Sequence, residues 1–291
     1  LGSPERWRQG FRSRGLRSAG RRHGRSDVTN PGIAHDLASR PAPDAPLALV
    51  TGAARRVGRA IALELARSGC DVIIHCNASA GDAATARTEI NALGRWATVW
   101  TLDLSDLGAV ERASADLASA LPSLDILVHN ASIYAPTPLA SLSAKDLARF
   151  HAVNAGAPAL LSAALAPLLA RSNLDGGGSI VAMLDIHAMG LPRREFAAYA
   201  MSKASLHELV RTLARDLAPR VRVNGVAPGV VAWPDDGYES DPDAQAAYLA
   251  RVPLERAGKP EDAAETVRWL AMEARYVTGQ VVRVDGGRSL M

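Results

Sequence analysis

Tyr199 and Lys203 stand four residues apart in "YAMSK", a spacing that puts both on one face of a helix. An ammonium beside a phenol favours the phenolate and lowers the tyrosine pKa, so the pair predicts a proton donor usable near neutral pH. Asp185 closes the apolar run "GSIVAMLD", fourteen residues before the tyrosine. A carboxylate there can share a proton with Tyr199. Asn154, in "HAVNAG", falls inside a long helical run where asparagine is a poor helix former. Its amide or carbonyl is expected to have a job, with a hydrogen bond buried in the helix as the competing reading.

A second set of residues could hold a dinucleotide. "TGAARRVGRA" (51–60) follows the apolar run "PLALV" and opens the periodic run "IALELARSG". Gly52 permits a tight turn, Gly58 permits close helix–strand approach, and the helix start presents free N–H groups to a pyrophosphate. Arg55, Arg56 and Val57 complete that loop. A dinucleotide lacking a 2′-phosphate is usually held by an acidic residue at the end of the second strand. Here "IIHCNAS" offers His75, Asn77 and Ser79, with no carboxylate before Asp82. A 2′-phosphate meets no repulsion there, and one or both arginines can pair with it. The cofactor expected is therefore NADPH. "TLDLS" adds Asp103 and Leu104, the carboxylate suited to an adenine amino group. "HNAS" adds Asn130, Ala131 and Ser132, and "VNGVAPG" ends in Pro228 and Gly229.

The elements that must position these residues alternate in type. Strand-like runs cover 47–52, 71–76, 98–104, 124–132, 178–185, 220–229 and 280–287. Helix-like runs cover 59–69, 82–94, 106–121, 143–170 and 196–217. Alternating units of this length predict parallel strands joined by right-handed crossovers, in a doubly wound α/β sheet with helices on both faces. The strand runs are nearly all apolar, as when both faces are covered. Every candidate residue falls at a carboxyl end of a strand, where such sheets bind ligands.

The chain has 291 residues, 48% hydrophobic and 22% charged, with a net charge of +3. Residues 1–40 hold nine arginines against three carboxylates, a balance of +6 that leaves the rest at −3. The basic character belongs to that segment, so the body calls for no nucleic acid. Residues 1–46 are rich in Arg, Gly, Ser and Pro without hydrophobic period, and are expected to be a disordered extension to a single domain spanning 47–291. A transit peptide or a nucleic-acid arm is the functional alternative for it. No apolar stretch of membrane-spanning length runs without charge or proline. Two cysteines, Cys70 and Cys76, give no disulfide framework and no metal spacing, as expected of a cytoplasmic protein.

Taken together, these motifs resemble the short-chain dehydrogenase/reductase family over residues 47–290. The resemblance implies a seven-stranded Rossmann-type sheet, a nicotinamide cofactor, and often a homotetramer built on helices 143–170 and 196–217. It also implies a catalytic set of Asn, Ser, Tyr and Lys, matched here by Asn154, Tyr199 and Lys203. Three departures are similar to the pteridine reductase branch. Asp185 stands at the serine position, the loop reads TGxxxRxG, and "NAS" leads into "NASIYAPTPL" (130–139). That likeness implies a pterin or folate stacked on Tyr134 and held by Ser132, with Asp185 and Tyr199 at the reacting C=N bond. It also implies that Lys203 holds the nicotinamide ribose and depresses the Tyr199 pKa, and that Asn154 positions Lys203 through water. Segment 231–254 is the expected substrate flap. Two readings compete: another ketoreductase of the family, such as a 3-oxoacyl-carrier reductase, and an NADPH-binding sensor without turnover.

Overall fold

The computed structural model describes residues 33–41, 44–233 and 238–291. The arginine-rich stretch up to residue 32, and the transit or nucleic-acid role weighed for it, lie outside the described residues.

Seven parallel strands form one sheet in the order β3-β2-β1-β4-β5-β6-β7. They are β1 (Leu47–Val50), β2 (Asp71–Cys76), β3 (Ala97–Thr101), β4 (Ile126–His129), β5 (Gly178–Met183), β6 (Val221–Pro228) and β7 (Val281–Val284). Strand alternation divides the apolar residues between two cores. Ala48, Val50, Val72, Ile74, Ile126 and Val128 face one. Leu47, Leu49, Ile73, Leu127 and Ile180 face the other. The chain runs outward from β1 through β2 to β3, then returns to build β4–β7 on the other side of β1. Loops leaving β1 and β4 therefore diverge, and a crevice opens at their carboxyl ends. The register Val50↔Val128 sets the two loops side by side.

Helices α2 (Arg56–Arg67), α3 (Ala80–Ala92), α4 (Leu107–Ala120), α5 (Ala144–His151), α6 (Ala157–Leu169) and α7 (Ala197–Asp216) lie within a few residues of their expected bounds. The run 143–170 is not one regular helix. Ser143 caps α5 in a reciprocal pair with Asp146, and a π-helical turn, Ala152–Gly156, joins α5 to α6. Pro158 lacks the N–H that an α-helix would direct at the Asn154 carbonyl, and π turns often mark functional positions. The stretch Ala144–Leu169 is long and apolar enough to cross a membrane, but 61% of its most apolar window is buried against the chain.

Three helices had no counterpart in the sequence reading. Two of them, α8 (Pro242–Leu249) and α9 (Pro260–Met272), fall between the sixth and seventh strands. Ala263, Ala264, Val267, Leu270 and Ala271 of α9 are buried in the core that α2 also covers. The third is α1 (Ile33–Ala38), which corrects the boundary expected at residue 47. Leu37 enters the second core, and Asp36 Oδ2 accepts from Thr98 Oγ1 at 2.7 Å. Just beyond α1, Arg40 Nε lies 2.7 Å from Asp71 Oδ2, whose other oxygen is 2.6 Å from Arg95. Six residues with one buried leucine are too short for hydrophobic period to register.

Candidate active site

The glycine loop is shaped by close contact. Gly52 has φ +64°, and a Cβ on it would lie 2.9 Å from the Ala131 Cα. A Cβ on Gly58 would lie 2.1 Å from the Gly52 carbonyl oxygen. Thr51 locks β1 to β4: its Oγ1 donates to the Val128 carbonyl and accepts from the N–H groups of Asn130 and Ala131. Asn130 Nδ2 donates to the carbonyls of Thr51 and Gly52. The α2 N-terminus, which starts directly behind the glycine turn, has no side-chain cap and no acidic residue in its first turn. Helical N–H groups without a capping partner form a site for an anion. The residues present thus fit a dinucleotide pyrophosphate.

Arg56 opens α2 with φ +52°, a left-handed conformation that costs a non-glycine residue about 1–2 kcal/mol. Its guanidinium donates to the carbonyls of Ala232 and Trp233, at 3.2 and 2.8 Å. Arg55, two-thirds exposed, lies 3.5 Å from Asp82.

His75 differs from expectation. Its ring turns inward: Nδ1 accepts from the Gly52 N–H at 3.1 Å, and Nε2 lies 3.0 Å from the Leu102 carbonyl. Both nitrogens are occupied, so the ring braces the glycine loop and gives no donor to a phosphate. Burial lowers its pKa to about 4, against the opposing pull of the Leu102 bond and Asp103. Asn77 and Ser79 lie at the cavity wall. Asp103 accepts from the Ser105 N–H, while the helix cap falls to Asp106.

At the ends of β4 and β5 the reactive residues converge. Tyr199 Oη donates to Asp185 Oδ2 at 2.7 Å, and Asp185 Oδ1 accepts from the His187 N–H. Lys203 Nζ donates to the Met183 carbonyl at 2.7 Å and lies 5.9 Å from the Tyr199 ring centroid. Burial lowers the lysine pKa to about 8, partly opposed by Asp185. The tyrosine does not follow the predicted lowering. Burial first, then the Asp185 charge, holds its pKa well above the ordinary value. A carboxylate in direct contact outweighs an ammonium farther off, so the phenol keeps its proton.

Asn154 is fully buried. Its Oδ1 accepts from the Ile133 N–H at 2.9 Å and from Ser132 Oγ at 3.2 Å. Its Nδ2 donates to the Ile133 carbonyl and to Ser202 Oγ. The side chain therefore ties the loop after β4 to α7. It is a positioning residue, and its partner Ser202 was missed inside "YAMSK".

Tyr134 stacks on Phe196 with centroids 4.8 Å apart and stands edge-on to Tyr199 at 4.9 Å. Its hydroxyl donates to Glu239 at 2.8 Å. Arg193 lies over Phe196, 4.6 Å from its centroid. Phe196, Arg193 and Glu239 escaped the sequence reading. Only the placement of Glu239 in the expected flap pointed toward it.

One cavity of about 820 Å³ is lined by every residue the sequence assigned to cofactor or substrate and by every catalytic candidate except Asn154. The crevice at the strand-order reversal, the uncapped helix behind Gly52 and Gly58, and a Tyr–Lys pair on α7 define a nucleotide-dependent oxidoreductase of the short-chain class. A family model described as Enoyl-(Acyl carrier protein) reductase matches residues 52–289, and the chain belongs to the short-chain dehydrogenase/reductase family. It is 37% identical to an uncharacterised oxidoreductase of Mycobacterium tuberculosis, over 84% of this chain and 92% of the other. It is 35% identical to Pteridine reductase 1 of Leishmania tarentolae, over 85% and 98%. It is 33% identical to a 3-oxoacyl-[acyl-carrier-protein] reductase of Synechocystis, over 84% and 96%. Among solved structures, a short-chain alcohol dehydrogenase candidate from Sinorhizobium meliloti matches with a TM-score of 0.77 and 29% identity, covering 84% of this chain and 96% of that one.

Proposed function

We propose that this oxidoreductase is an NADPH-dependent reductase of oxidised pterins, acting on a C=N bond. The observation that carries the reading is the 2.7 Å bond from Tyr199 to Asp185 beneath the edge-on ring of Tyr134. A ketone reduction needs one proton on an oxygen, which a tyrosine alone supplies. A ring nitrogen is served by a proton shared between a phenol and a carboxylate.

When bound, the dinucleotide supplies a hydride. The chain's residues hold and move the proton and orient the ring. Tyr134, with one face stacked on Phe196, offers the other to the pterin. Tyr199 gives its phenolic proton to the ring nitrogen, and Asp185, at the cavity wall, returns one from solvent. Lys203 holds its charge below pH about 8 and anchors the nicotinamide ribose. Preference for the 2′-phosphate rests on Arg55, Arg56, Asn77 and Ser79, with no carboxylate between β2 and α3. The same reading includes a homotetramer built on α5, α6 and α7.

The ketoreductase reading has its own support in the 3-oxoacyl reductase relative. An Asp185→Ser variant separates the two. The pterin reading predicts a loss of dihydropterin turnover of about 10²-fold, the scale of a lost acid–base partner. Unchanged dihydropterin turnover in that variant would overturn it.

A further inference from the structure

Three side chains from separate segments meet at one end of the cavity. Arg193 lies in the loop before α7, Tyr134 in the loop after β4, and Glu239 in the short turn Tyr238–Ser240. The Glu239 carboxylate is gripped at both oxygens. Tyr134 Oη donates to Oε2 at 2.8 Å, and Arg193 lies 2.6 Å from Oε1. Each donor also has a partner besides the carboxylate. Tyr134 stacks on Phe196, and Arg193 lies 4.6 Å above the Phe196 centroid and 5.6 Å from that of Tyr134. Such a cation–aromatic platform holds a guanidinium in place. Both charged side chains are largely buried, 22% and 15% exposed, and both line the cavity that holds Asp185 and Tyr199.

A guanidinium and a phenol converging on separate oxygens form a carboxylate receptor. We propose that this receptor recognises a carboxylate on the substrate's tail, and that Glu239 occupies it until such a substrate displaces it. The inference rests on the pterin reading and names its substrate class: a ring conjugated to an acidic tail rather than a free pterin. The Tyr134 hydroxyl and Arg193 line the same cavity as Tyr199, so a substrate whose ring enters that cavity can bring a tail to them. Arg193 thus sets specificity and Glu239 acts as a tethered competitor.

The test compares dihydrofolate, whose tail carries carboxylates, with dihydrobiopterin, whose tail carries none. Arg193→Leu should raise KM for dihydrofolate about 10- to 100-fold, the scale of a lost charged hydrogen bond, and change that for dihydrobiopterin far less. Glu239→Gln keeps a hydrogen-bonding group beside Tyr134 but removes the competing charge, so KM for dihydrofolate should fall. Equal KM changes for both substrates in Arg193→Leu, or a higher dihydrofolate KM in Glu239→Gln, overturn the proposal. If the wild type reduces neither substrate, the pterin reading fails by itself. The receptor is then read by calorimetry with p-aminobenzoylglutamate. Binding to the wild type that is lost in Arg193→Leu supports it, and equal or absent binding in both overturns it.

Discussion

Tyr199 donates its phenolic hydrogen to Asp185 at 2.7 Å, so one proton is shared between the start of α7 and the end of β5. Burial and the neighbouring carboxylate keep the tyrosine protonated. In the proposed mechanism the phenol is therefore a loaded donor, and the ammonium of Lys203 is left for another role. Tyr199→Phe removes the donor while leaving the ring. Turnover should fall about 10²- to 10⁴-fold, the range for a positioned acid, with NADPH affinity retained in a fluorescence titration. Unchanged turnover would remove Tyr199 from the chemistry.

Arg56 is strained and bonded at once. Its left-handed backbone costs about 1–2 kcal/mol, and its bonds to the Ala232 and Trp233 carbonyls return a similar amount at about 0.5–1.5 kcal/mol each. Arg56→Gly should leave thermal stability nearly unchanged. The proposed role of Arg56 as a charged partner for the 2′-phosphate predicts that discrimination between NADPH and NADH falls about 10-fold or more. A variant that keeps its preference would assign the phosphate to Arg55 and its neighbours.

Gly58→Ala tests the loop's shape. The added Cβ would meet the Gly52 oxygen at 2.1 Å, so α2 must move away from the β1 end. A loss of about 2–3 kcal/mol in denaturant unfolding is expected, the scale of overpacking a close contact. NADPH binding should be lost with it. A variant that binds normally would show that the glycine is not required for approach.

The two-glycine pattern, the apolar strand runs and the Tyr–Lys pair were legible because each leaves a mark within ten residues of sequence. The aromatic platform was not. Phe196 stands at the start of α7, Arg193 and Glu239 come from two stretches with no periodicity, and only the folded chain brings the three together. His75 was legible as a residue at a strand end, but not as a ring turned inward, since direction depends on the Gly52 N–H and Leu102 carbonyl that it bridges. The same holds for α1, held by one leucine, Leu37, in the second core and by the Asp36–Thr98 bond, with Arg40 just beyond it on Asp71, rather than by a longer apolar stripe.

His75 also predicts an acid limit. Its folded pKa, about 4, is below the ordinary 6.5 of the unfolded chain. The unfolded state therefore binds more protons between these values. Stability from this group is complete above pH 6.5 and declines as pH falls toward 4. By pH 4.5 the loss from His75 is about 2 kcal/mol. His129, lowered to about 3 by burial, adds a loss in the same direction. In urea unfolding across this range, His75→Gln should lose about 2 kcal/mol less than the wild type. Parallel curves for the two proteins would show that the imidazole does not charge on unfolding.

Substrate class is read by one assay: oxidation of NADPH by the wild-type protein with dihydrobiopterin, dihydrofolate and an acetoacetyl thioester side by side. The shared Tyr199–Asp185 proton and the Tyr134 face predict kcat/KM for at least one dihydropterin well above that for the thioester, by about 100-fold on the scale of a matched acid–base pair. Turnover of the thioester with no measurable reduction of either pterin would contradict the account.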